Sequence, residues 1–440
     1  MPAANVAARA GEAQITAFDI FSNYGDPVNV SNGIIELDYY ESLLDSTVRA
    51  TATFADTGFR DSKDGSAALE ENDLKLTAGE KVHIKLTDGN GFVLDLTGSK
   101  HLRIKEVKDI QESTNNTIFT IDLYSKECID NELEKTRVKT RFDGKVSDHV
   151  GKILSENLQT VKESDIDSTL NELSFVGNTT KPFYQIIWLA SRSVPDIQNA
   201  KGILAGYFFY ETYDGYKFKS IDKLFQQEPK KKLIFNNLIG EVPDGYDGKI
   251  LEYAFDSTMD LEHILPTGSQ TASKAKVINS FDSSYRESDF AASQQMSEEN
   301  IGGTEQPIIA SDINLQGESC RIFYSWDDQG FLSEGNTLEE QLKKSTFTNY
   351  NNDEILRQSS MRYNNLFSTK LSIAIAGDMN LRAGDLLHCD FPEISSNETK
   401  SYSQKKSGIY MIIDVCHRIT KNNCYTRLHL VRESIGRKPA

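Results

Sequence analysis

The chain is poor in the residues that metal, redox and membrane chemistry require. Its five cysteines (Cys128, Cys320, Cys389, Cys416, Cys424) are odd in number and scattered, with no C-x-x-C pair. That spacing excludes a zinc ribbon or a thioredoxin-like motif, and the thiols read as reduced, mostly small core residues. No stretch approaches the roughly 18 apolar residues of a membrane span. Met1 to Ala13, which include Arg9 and Glu12, also lack the apolar run of a signal peptide. No membrane anchor is therefore expected, and a soluble chain made in the cytoplasm is. Positive charge is scarce as well, 48 Lys and Arg against 65 Asp and Glu, for a net charge of −17. The basic clusters Lys230-Lys231-Lys232 and Arg437-Lys438 are not interleaved with aromatics that could stack on bases, so they read as solvated patches rather than a nucleic-acid site. Catalytic signatures are missing too: there is no H-E-x-x-H, no G-x-S-x-G, no Walker-type loop and no EF-hand spacing. Carboxylates are abundant, but abundance does not make the paired acid and base of a glycosidase. Neither a catalytic residue nor a cofactor is expected.

The aromatic content is what stands out among the residues present. Eighteen tyrosines and 22 phenylalanines against two tryptophans suit β-rich structure, and 440 residues are enough for several domains. Compared with itself, the chain shows an internal repeat. Ala78-Gly79-Glu80-Lys81-Val82-His83-Ile84 returns as Ala383-Gly384-Asp385-Leu386-Leu387-His388-Cys389, in each case a strand opened by a glycine turn. The first copy continues through Val107 to Phe119-Thr120-Ile121, the second through Val415 to Tyr425-Thr426-Arg427. His83 and His388 are 305 residues apart and Val107 and Val415 are 308 apart, so the drift is small. One mismatch remains: matching Thr120 with Thr426 sets Ile121 against Arg427, which a bulge or a one-residue slip would reconcile. Gly79, His83, Val107, Thr120, Gly384, Asp385, His388, Val415 and Thr426 thus form a structural signature. His83, His388, His417 and His429 could suggest a metal cluster, but repeated residues at matching strand positions read better as packing or interface residues.

The expected fold class is α+β, mainly β: two homologous antiparallel β-barrel domains with α+β domains between them. Gly33 to Tyr40 and Val48 to Phe54 supply two further strands to the first barrel, over residues 1–127, and Asp88-Gly89-Asn90-Gly91 turns a hairpin. Residues 128–225 change pattern. Val150, Ile153, Leu154 and Leu158 follow Ser147, a plausible N-cap, at helical spacing, and a second helix over Pro182 to Val194 has Phe183, Ile186, Ile187 and Ala190 on its apolar face. A hairpin at Asp214-Gly215 completes this insert. Residues 262–345 read as an irregular connecting domain, with the stretch from Thr267 to Gln316 as long polar loops. Residues 434–440 form a tail.

The C-terminal hairpin Tyr410 to His417 with Tyr425 to Leu430, the preceding Leu381-Arg382-Ala383-Gly384-Asp385, and the Tyr213-Asp214-Gly215-Tyr216 turn together resemble the central baseplate hub proteins of T-even-like contractile-tailed phages. The resemblance implies two tube-like barrels per subunit, the second assembled from residues 226–261 and 346–433, and a trimeric ring of six barrels that mimics a hexameric neighbour. It implies a homotrimer as the assembly, with the tail spike, the tail tube and other baseplate proteins as partners. It also implies a place in the virion tail, assembly in the host cytoplasm, and passage of genomic DNA without specific binding; given that channel, the net charge of −17 with no basic stripe leads to the expectation that part of the acidic surplus lines it. The alternatives are the hub part of a contractile secretion or pyocin-like spike, and a carbohydrate-active enzyme or sugar-binding tail protein.

Overall fold

In a computed structural model, residues 11–23, 27–56, 76–112, 117–197, 204–236, 242–257, 261–268, 272–278, 285–290, 301–307, 312, 318–326, 337–340, 352–393, 402–420 and 423–438 are described. Ten strands carry the two repeats. In the first they are β1 (Ile34–Ser42), β2 (Arg49–Asp56), β3 (Lys81–Asp88), β4 (Leu102–Glu112) and β5 (Thr117–Ser125). In the second they are β6 (Glu252–Ser257), β7 (Thr369–Ala376), β8 (Leu386–Asp390), β9 (Gly408–Thr420) and β10 (Cys424–Arg432). The neighbours run β1-β2-β5-β4-β3 and β6-β7-β10-β9-β8, every pair antiparallel, so the two repeats have the same wiring. Ala13–Phe21 adds to β3 in the first, and Lys231–Phe235 lies parallel to β8 in the second.

Alternation of side chains makes these sheets one-sided. Ala50, Ala52 and Phe54 face inward from β2 with Ile84, Ile104 and Ile121, and Phe54 meets Phe18 edge to face at 5.2 Å. Leu371 and Ile373 from β7 pack with Ile412 and Leu428 in the second core. Each such large apolar side chain contributes about 1.5–3 kcal/mol by leaving water. The opposite face is polar around the junction of the two repeats, whereas in the second Leu386, Met411, Ile413 and Val431 pack on that side against Phe208, Tyr210 and Leu224 of the insert.

Between the repeats sits the α+β insert. Its first helix, Val146–Lys152, is capped at Lys145 rather than at Ser147, which is buried and donates its backbone N–H to Thr169 Oγ1 at 3.0 Å. A wide turn over Ile153–Asn157 follows, and it brings Ile153, Leu154 and Leu158 into one core. The second helix has proline in its first turn but stops at Ala190, short of Val194. Its buried face is Phe183, Ile186, Leu189 and Ala190, whereas Ile187 is 50% exposed, on the flank of the packed side, about 100° round the helix from Ile186. Tyr207–Thr212 and Gly215–Ser220 form the expected hairpin.

The polar stretch read as irregular differs from expectation. Ala272–Ile278 pairs antiparallel with Tyr285–Phe290 and parallel with Ser319–Trp326, a three-stranded sheet backed by the helix Asn352–Leu366. Ser273, Ala275 and Val277 are buried while Lys274 is exposed, so an alternation was present within the polar composition. The rest of that stretch lies largely outside the described residues, as do Met1 to Ala10. Among the described residues no helix is long and apolar enough to cross a membrane.

Candidate functional site

The glycine turn that opens β3 and β8 is built twice with the same hydrogen bonds. Gly79 N–H donates to Ile104 O at 2.7 Å and Ile104 N–H to Glu80 O at 3.0 Å. Gly384 N–H donates to Ile412 O at 2.8 Å and Ile412 N–H to Asp385 O at 2.9 Å. Both glycines have positive φ, +87° and +90°. The acid that follows closes the turn in each copy, since Glu80 Oε1 accepts from Thr77 N–H at 2.9 Å and Asp385 Oδ2 from Arg382 N–H at 2.8 Å. The copies differ in room. A Cβ on Gly79 meets nothing, whereas one on Gly384 would lie 2.5 Å from Tyr210 Oη of the insert. Gly79→Ala is therefore expected to destabilise by the left-handed backbone cost alone, about 1–2 kcal/mol. Gly384→Ala adds a clash and should cost roughly 2–4 kcal/mol. Denaturation midpoints of the two variants measure the difference, and equal shifts would contradict it.

Register fixes the remaining correspondences. Val107 pairs with Ile121 and Val415 with Leu428, after a bulge that falls at the same point in β4 (between Ile104 and Glu106) and β9 (between Ile412 and Asp414). Ile121 is thus the counterpart of Leu428, Thr120 that of Arg427, and Thr426 that of Phe119. Matching Thr120 with Thr426 was one residue out of register, and the slip removes the clash of apolar faces. His83 and His388 occupy equivalent slots, opposite the starts of β4 and β9, but not equivalent surroundings. His83 is an edge contact for Phe21 at 4.6 Å, while His388 is fully buried with Nε2 3.2 Å from Asp390 Oδ1. Among the described residues no group of three or more His, Cys, Asp or Glu side chains converges as a metal site would.

The two repeats share one sheet. Over Asp414 to Thr420, β9 pairs antiparallel with β1, with Cys416 opposite Tyr40 and Arg418 opposite Asp38. The polar face runs across this junction and forms an open groove of about 990 Å³ bordered by Tyr40, Arg49, Asp122, Cys416, Arg427 and His429. Both signs of charge lie in pairs in and beside the groove. Arg418 binds Asp38 through two hydrogen bonds of 2.9 and 2.6 Å, Lys108 reaches Asp122 at 2.6 Å and Glu106 at 3.2 Å, and His429 lies 3.1 Å from Asp414. The Asp414 carboxylate raises the His429 pKa.

Beneath the junction, Glu41 of β1 ties three parts of the chain together. Its carboxylate accepts from Tyr39 Oη at 3.0 Å, from Tyr213 N–H of the insert at 2.8 Å, and from Ala383 N–H of the second repeat at 3.2 Å. Arg382 lies 3.8 Å away, its guanidinium 5.0 Å from the ring centres of both Phe92 and Tyr213. Arg382 was legible as part of a resembling segment, but nothing in the sequence marked Glu41, a lone acid among strand residues.

No protein-family model and no curated protein matches the chain. Solved structures do. A tail protein from Neisseria meningitidis aligns over 94% of this chain and 96% of its own length, at 8% identity and a TM-score of 0.50. A prophage tail protein from Shewanella oneidensis aligns over 96% and 99%, at 9% identity and a TM-score of 0.51. The fold is that of phage tail proteins. At such identities the likeness lies in the path of the backbone, and this tail-protein fold covers the repeats, the shared sheet and the insert together.

Proposed function

We propose that the chain is a structural baseplate hub subunit of a contractile phage tail, a homotrimeric adaptor between a hexameric tail tube and a trimeric central spike. The observation that carries this reading is the doubled module: two five-stranded units of the same wiring, joined in one sheet where β1 pairs with the second half of β9. Three chains then present six alike units to a sixfold neighbour, while the insert and the Ala272–Trp326 sheet, present once per chain, remain threefold and are suited to a trimeric spike. The tail-protein fold over nearly the whole chain supports the same reading.

In such a ring the polar sheet face lines the channel for DNA. That revises the expected acidic lining, because the acids on this face are matched by Arg418, Lys108, Arg427 and His429. A charge-matched surface offers a phosphate backbone neither a row of cations nor strong repulsion. Native mass measurement of the purified chain, alone and with its spike, tests the reading. A trimer is expected, and a monomer that persists with the spike present would overturn it. Peptidoglycan turnover abolished by a single carboxylate substitution would equally remove the purely structural role.

A further inference from the structure

We infer that β4 of one chain pairs antiparallel with β6 of a second copy, in the register that the chain already uses between β9 and β1. The inference rests on the proposed ring, for which it supplies the contact between subunits. Within the chain, the first half of β9 pairs with β8 and its second half takes β1 on the same side. Its counterpart β4 begins in the same way, with Leu102 and Arg103 against Val82 and Lys81. From Glu106 onward, however, no strand among the described residues occupies that side of β4. The counterpart of β1 is likewise half-served, for β6 pairs with β7 and, among the described residues, with nothing on its other edge. One chain thus holds a filled junction and the two halves of an identical empty one. Rows of unpaired N–H and C=O groups are what a further strand binds.

Burial agrees. Leu37 and Tyr39 of β1 are each 1% exposed beside β9. Register makes Tyr253 and Phe255 of β6 their counterparts, through Ile373 and Leu371, and both are only half-buried. A strand laid along β6 would complete their burial. The shared bulge gives β4 and β9 the same local twist, so the β9–β1 register transfers over Glu106 to Asp109, ahead of a second bulge in β4, between Asp109 and Gln111, that β9 lacks. Cys416 opposite Tyr40 becomes Lys108 opposite Asp256, an exposed cation facing an exposed acid, a favourable cross-strand pair. With β9–β1 inside each chain and β4–β6 between chains, the strands β6-β7-β10-β9-β1-β2-β5-β4 of three copies follow one another around the ring.

The test is a disulfide. In a Cys320→Ser background, which removes the exposed native thiol, full-length chain carrying Lys108→Cys and Asp256→Cys is oxidised and run without reductant. Directly opposed Cα atoms in an antiparallel pair lie about 4.5–5.5 Å apart, within disulfide range. The expected result is a reducible ladder ending at the trimer, absent from either single variant. The off-register pair Lys108→Cys with Ala254→Cys, diagonal at roughly 7–8 Å, should give little of it. Hydrogen exchange on the unmodified trimer provides a second readout, in which the amides of β6 should be as protected as those of β1. A native trimer with no ladder and with exchanging β6 amides would overturn the seam but leave the proposed function standing. A ladder only from the off-register pair would overturn the register. A chain that stays monomeric overturns both.

Discussion

Replacing Lys162 by methionine should lower the stability of the insert by about 3–5 kcal/mol, the range for breaking a buried ion pair from one side. The Lys162 ammonium bonds Glu127 at 2.7 Å and Glu211 at 2.6 Å, and none of the three side chains is more than 5% exposed. Glu211 also accepts from Ser125 Oγ at 2.5 Å and from Val48 N–H at 3.0 Å, and Thr160 Oγ1 donates to Glu127 at 2.8 Å. One cation therefore fastens the end of β5 and the turn before β2 to the insert. Without it two carboxylates remain close together out of water, where burial already pushes the Glu211 pKa up. Chemical denaturation followed by Trp188, which packs against the insert's core, measures the loss. Adding Glu127→Gln and Glu211→Gln should restore much of it, because the penalty belongs to uncompensated charge rather than to missing contacts. A loss below about 1 kcal/mol in Lys162→Met would mean that water reaches the site.

Acid should weaken the junction through His417. This imidazole is fully buried in β9, opposite Tyr39 of β1, and its Nδ1 lies 3.0 Å from Thr426 Oγ1. Burial, reinforced by the nearby Arg382 cation and only partly opposed by Asp378, lowers its pKa from 6.5 to about 3. Between those values the unfolded chain binds a proton that the folded chain refuses, so stability falls as pH drops through this window. The slope is roughly 1.4 kcal/mol per pH unit, and the whole window is worth about 5 kcal/mol. Carboxylates titrate in the same range but do so equally in His417→Gln. Unfolding of wild type and variant measured from pH 7 to pH 4 should therefore converge as pH falls, and parallel curves would dismiss the imidazole as the cause.

What the sequence revealed follows from how each feature is written in it. The strands β3 to β5 and β8 to β10 were visible as a repeat because the glycine turn leaves a short motif, Gly79 and Gly384 each followed by an acid, and because insertions within the modules are small. The other two members of the second module were not visible in this way. Residues 258–368 separate β6 from β7, and a six-residue strand such as Glu252–Ser257, exposed at alternate positions, resembles many surface segments. The one-residue slip at Thr120 arose from an identity between two threonines on opposite sides of a turn in register, where side-chain direction rather than residue type decides the match. Lys162, Glu211, Glu41 and Arg382 illustrate the deeper limit. Charged residues are mostly exposed, so sequence gives no sign when one is buried, and the partners here are separated by tens to hundreds of positions.

The gap between β6 and β7 also bears on the order of assembly as the polypeptide is made. All five strands of the first module lie before residue 126, so that unit can form early from comparatively local contacts. The second cannot be completed until β10 has emerged, long after β6. By then β1 is already in place with one side vacant, and it can serve as a template onto which β9 is laid, so the earlier copy guides the register of the later one.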